Sequence, residues 1–163
     1  MNDRLVAQIL KTWRVNNRIT LALLGAISPK GLQAMPLGSK GRTVAEQFAH
    51  LHRVRLGWLA YNAGRARGYF YRLPKRPALT RPGLRSAFLA SGNAVEALIE
   101  TTLAAGTRVK AFNGSPIRWM DYLIAHDAHH RGQILLALKQ NAMRLPPRIA
   151  LRAMWATWMW GKK

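Results

Sequence analysis

The chain has 163 residues, 49% of them apolar, a length suited to one domain with its own core over residues 1–163. It contains no cysteine, which excludes disulfides, thiolate nucleophiles and cysteine-type zinc sites and leaves histidine as the borderline-soft metal ligand. Lys and Arg outnumber Asp and Glu by 26 to 6, a formal net charge of +20, which predicts a general attraction to polyanions.

No apolar run approaches the ~18 residues of a membrane span, and the start, "MNDRLVAQILKTWRVNN", lacks a signal-peptide core. A cytoplasmic protein without a membrane partner is expected. Four long helical patterns follow in order, with almost nothing that reads as strand. The first runs from about Asn2 to Ala26 on Leu5, Ile9, Trp13, Ile19 and Leu23, and Ser28-Pro29-Lys30-Gly31 ends it. The second opens on Thr43-Val44-Ala45-Glu46, a capping-box pattern, and reaches about Asn62.

A Pro-, Gly- and Arg-rich loop spans roughly Gly64 to Pro82. The third helix covers about Gly83 to Ala105. Ser115-Pro116 is a cap and first-turn pair for the fourth, which is expected to run to about Met143. Pro146-Pro147 stops it, and a Trp-rich tail, "ALRAMWATWMWGKK", closes the chain. The pattern predicts an all-α four-helix bundle with a short C-terminal Trp-rich segment.

The fourth helix carries three of the five histidines in "DYLIAHDAHHRGQILLALKQ". At about 100° per residue, His126 and His130 lie about 40° apart, one turn above each other. Trp119, Tyr122, Leu123, Gln133 and Ala137 share or border that face. His129 is about 60° off on the other side, and Asp127 is further round. Two histidines at this spacing can hold one metal but need a third ligand. On the second helix His50 shares a face with Gln47, Val54, Gly57 and Tyr61. His52 lies about 160° away beside Phe48, Arg55 and Leu59, so only one of the two can face the pair, and the wheel leaves the choice open. His52 and His129 are expected as surface or interface residues, and Asp127 and Arg131 as solvated charges.

"TVAEQFAHLHRVRLGWL", then "HDAHHRGQILLALKQ" with its H-x-x-x-H-R-G-Q segment, and the terminal Trp-Gly-Lys together resemble the DinB family, also called YfiT-like, over essentially the whole chain. The resemblance implies an up-down-down-up bundle and a divalent metal, nickel or zinc, on three histidines: His50, His126 and His130. It implies enzymes such as thiol-dependent transferases and an isomerase using mycothiol or bacillithiol, and it favours a homodimer. The chain departs from the family pattern in its basicity and in Met159, where an acidic residue often precedes the terminal Trp-Gly.

The expected activity is therefore a metal-dependent hydrolase or thiol transferase, with water or a low-molecular-weight thiol cosubstrate activated against a small-molecule substrate. Glu46, Tyr122 and Gln133 are the pocket candidates. Glu46 competes with its capping role, and Tyr61 is a further lining residue. The rival reading is a basic nucleic-acid-binding module with a vestigial or structural metal site. It rests on "GRARGYFYRLPKRP", Gly64 to Pro77, where basic residues alternate with aromatics. An apolar stripe of Ile117, Ile124, Ala128 and Leu135, opposite the histidines, needs cover from the tail or from a second copy.

Overall fold

The computed structural model of the chain describes residues 3–38, 40–63, 73 and 75–161. All regular structure among them is helical. Four long helices carry the fold: α1 (Asp3–Ala26), α3 (Val44–Asn62), α4 (Arg81–Ala104) and α5 (Pro116–Gln140). A one-turn α2 (Pro29–Leu32) follows α1, and a π-helical stretch (Ile149–Trp155) leads into a short α6 (Ala156–Trp160). No helix among the described residues is long and apolar enough to cross a membrane.

The helix starts follow their capping chemistry. The Thr43 hydroxyl accepts from the Glu46 amide (3.2 Å), and the Thr43 amide donates to the Glu46 carboxylate (2.8 Å), which completes the capping box. The Ser115 hydroxyl accepts from the Arg118 amide ahead of Pro116. Three boundaries differ from the sequence expectation. Thr80 caps α4, so the helix begins at Arg81 and takes Pro82 into its first turn, where the missing N–H costs nothing. Ser28 starts a new turn, α2, as well as ending α1. α5 stops at Gln140, short of Met143. There the Asn141 side chain donates to the Ala137 and Met35 carbonyls, and Ala142 turns left-handed (φ 56).

α1 packs on α4 and α5, and α3 packs on the same two helices. The core falls into two apolar clusters. One holds Leu23 and Leu24 of α1, Val44 and Phe48 of α3, Leu84 and Phe88 of α4, and Ile134 and Leu138 of α5. The other holds Leu10 and Trp13, Leu56 and Leu59, Val95 and Ile99, and Trp119 and Leu123.

Between the clusters in sequence register lies a buried polar layer. Arg55 Nη2 donates to Asp127 (2.6 Å), Asn16 donates to the same carboxylate (2.7 Å), and Arg55 Nη1 donates to Asn17 (2.8 Å). Arg131 Nη1 donates to Asn16 (2.8 Å) and to Thr20 (2.9 Å). The Arg55 guanidinium lies 4.8 Å from the Trp13 ring centroid and 4.6 Å from that of Phe88. Gly92 admits this layer: a Cβ there would collide with the Asn17 amide.

This layer corrects three expectations. Asp127 and Arg131 are buried instead of solvated, and His52, expected at the surface or an interface, is fully buried. The reason is the same in each case. α3 and α5 are enclosed on more than one side, so a position facing away from the histidine face meets another helix instead of water.

The tail runs along α1. A cavity of about 210 Å³ between it and α5 is lined by Ile19, Ala128, Leu135, Met154 and Trp158. Ala128 and Leu135 thus face the chain's own C-terminal segment, while Ile117 and Ile124 pack on the second core cluster. Leu151, Trp155, Met159 and Trp160 remain exposed.

Candidate metal centre

The α3 and α5 faces meet at three imidazoles. α5 carries His126 and His130 one turn apart, and α3 brings His50 against both. Ring centroids are 5.3 Å apart for His50–His126, 4.8 Å for His50–His130 and 4.7 Å for His126–His130. One nitrogen from each lies within 4.8 Å of the other two, so the group could hold a metal ion. A shared ion at about 2.1 Å from each nitrogen would draw them to about 3.4 Å apart, a closure within the reach of small side-chain rotations. His52, turned away on α3, and His129 are outside the group.

The protonation states suit a cation. His50 is pushed down to about 4, first by burial and then by the Arg42 guanidinium. His130 is also pushed down to about 4, first by burial and then by its neighbours His126 and His50. His126 is lowered by burial against a smaller raising effect of Asp127. All three are neutral at pH 7, the form that ligates.

Two hydrogen-bonding details fit a bound ion. His130 Nδ1 faces the Gln47 carbonyl oxygen at 3.3 Å, so it carries the proton and Nε2 is left with a free lone pair. His126 Nδ1 is buried without a hydrogen-bond partner, an arrangement that costs free energy unless something else satisfies it.

The other candidates take different places. Glu46 is exposed, and its carboxylate is engaged by the Thr43 amide in the capping box. Gln133 donates to His129 Nε2 at 2.9 Å and lines a cavity that also reaches Gln47. Tyr122 stacks on His126, centroids 5.9 Å apart and planes at 23°, and joins Trp58 and Phe112 in an aromatic wall. Tyr61 is exposed, edge-on to Trp58 and under the Lys110 ammonium. Of the Gly64–Pro77 loop, residues 64–72 and 74 lie outside the described residues, which takes Arg65, Arg67, Tyr69, Phe70, Tyr71 and Arg72 with them.

Sequence reasoning passed over Gln47 and Arg42. Gln47 was visible as a member of the His50 face, one turn earlier. Arg42 precedes the helix cap, and no periodicity points to it.

A search among curated proteins returns no match for this chain. A sequence model described as the DinB family matches residues 1–158, nearly the whole length, and the chain belongs to that family.

Proposed function

We propose that this protein is a metal-dependent enzyme, a hydrolase or thiol transferase, in which His50, His126 and His130 hold nickel or zinc. The observation that carries the reading is the convergence of three neutral imidazoles from two helices, with no carboxylate in the group among the described residues. A divalent cation bound there supplies Lewis acidity toward water or a low-molecular-weight thiol. Three protein ligands leave room for such a nucleophile, whereas a fourth would make the site structural.

The chain's own residues have defined tasks in this reading. Gln47 fixes the His130 tautomer through its carbonyl oxygen. Tyr122 holds the His126 ring by stacking and, with Trp58 and Phe112, walls one side against water. Glu46, committed to the helix cap, is a structural residue first and a proton acceptor only if released from it.

The same proposal includes one domain folded as an up-down-down-up four-helix bundle. The order of core contacts supports it: α1 and α5 pass from the Trp13–Trp119 cluster to the Phe48–Phe88 cluster, and α3 and α4 pass the other way. The exposed Leu151, Trp155, Met159 and Trp160 support the homodimer that the family resemblance implies.

The test is metal analysis of protein purified without a nickel column. One equivalent per chain is expected, lost in His126→Ala and kept in His129→Ala. Metal that remains bound in His126→Ala, or a chain that takes up none when nickel or zinc is added, overturns the reading.

A further inference from the structure

Against the turn of α3 that carries His50 lies a cavity of about 650 Å³, lined by Lys40, Arg42, Glu46, Ala49, Arg53 and Arg76 among others. Its cations come from three separate segments: the loop before α3, α3 itself, and the stretch ahead of α4. Ala49 and Arg53 flank His50 on α3. A second cavity of about 340 Å³ shares Gly41 and Arg42 with it and reaches Gln47, the partner of His130. The volume is that of a small-molecule pocket.

The charge in this cavity is uncompensated. Four cations face one carboxylate, and that carboxylate, Glu46, already accepts from the Thr43 amide. Some arginines elsewhere in the chain are bonded. Arg14 pairs with Glu96 at 2.7 Å, Arg55 pairs with Asp127, and Arg108 donates to the Asn113 carbonyl at 2.8 Å. Arg42, Arg53 and Arg76 pair with no carboxylate among the described residues. A guanidinium fork binds a planar or tetrahedral oxyanion with two parallel hydrogen bonds, and several forks in a concavity do so with orientation.

We infer that this cavity is an anion subsite of the three-histidine centre, which takes the carboxylate or phosphate end of a small acidic substrate while the substrate's other end lies at the histidines. The inference rests on the proposed metal site for its meaning as a substrate pocket, but not for its affinity. Arg42 lines both cavities, and the second reaches Gln47, the partner of His130, so Arg42 is the residue that joins subsite to centre.

The test is calorimetric titration of the untagged chain, with and without added zinc, against inorganic phosphate and against succinate at physiological salt. Saturable binding near one per chain is expected for at least one anion, in both metal states. Arg42→Gln and Arg53→Gln, both exposed and unpaired with carboxylates, should each weaken it by about tenfold or more, as loss of a charge-assisted partner does. Arg18→Gln, on exposed α1 surface away from the cavity, should not change it.

Binding of many anions per chain, weakened equally by Arg18→Gln, would overturn the subsite in favour of a diffuse basic surface. Absence of saturable binding would overturn it too. Parallel zinc titrations separate the two readings. A chain that takes up zinc but shows no saturable anion binding defeats the subsite alone, and one that binds the anion but takes up no added zinc defeats the metal centre alone.

Discussion

Two clusters of polar side chains are carried by the same two helices, and on α5 they alternate between neighbouring residues. On α5, His126 is followed by Asp127 and His130 by Arg131. On α3, His50 lies five positions before Arg55. One set faces the α3–α5 groove, and the other faces the buried layer against α1 and α4. The inner layer is cross-linked and charge-paired: Asp127, Arg55 and Arg131 are tied together through Asn16, Asn17, Thr20 and two aromatic faces, although Arg55 Nε and Asp127 Oδ1 have no hydrogen-bond partner among the described residues. The histidine set is open, with weakly basic nitrogens and one buried Nδ1 that has no partner. A cluster whose charges pair internally holds helices in register, whereas three neutral imidazoles turned into one groove could hold a metal ion.

The sharpest way to break this comparison is to disable one cluster at a time. Asp127→Ala leaves Arg55 and Arg131 buried without their only carboxylate, and should cost about 3–5 kcal/mol of stability in urea unfolding. His126→Ala, measured without metal, should cost far less, since its Nδ1 gives up no hydrogen bond. Equal losses would mean that the histidines are as structural as the buried ion pair.

A smaller effect is expected at Gln47. Gln47→Leu keeps the buried volume nearly constant but removes the acceptor for His130 Nδ1, so zinc affinity should fall by about 10–100-fold while the unfolding midpoint without metal changes little. An unchanged affinity would remove Gln47 from the site.

A further prediction concerns pH. His50 and His130 have folded-state values near 4 against an unfolded value of 6.5. Between those limits the unfolded chain binds more protons, so stability falls as pH drops from about 6.5 to 4 and is flat just above that window. Thermal unfolding of the metal-free chain should show this loss, and the double variant His50→Gln, His130→Gln should show less of it. A melting temperature that rises on acidification through this window would contradict the neutral, buried state of these rings.

The helices and much of the site were legible in the residues. Thr43 and Glu46, Ser115 and Pro116 marked their helix starts because capping is decided within a single turn. His126 and His130 were paired by the helical repeat alone. The choice of His50 over His52 came from the family resemblance, and the structure brings His50 to the pair.

Local periodicity reports the angle between two side chains on one helix, but not what stands opposite each of them. The placement of His52, Asp127 and Arg131 inside was therefore invisible until α1 and α4 were set against α3 and α5. The convergence of Lys40, Arg42, Arg53 and Arg76 was hidden for a related reason. These residues lie on a loop, a helix and a second loop, and each alone reads as a solvated charge. Only the packing of those segments turns separate cations into one concave, uncompensated field, because Coulomb interactions depend on distance in space and not along the chain.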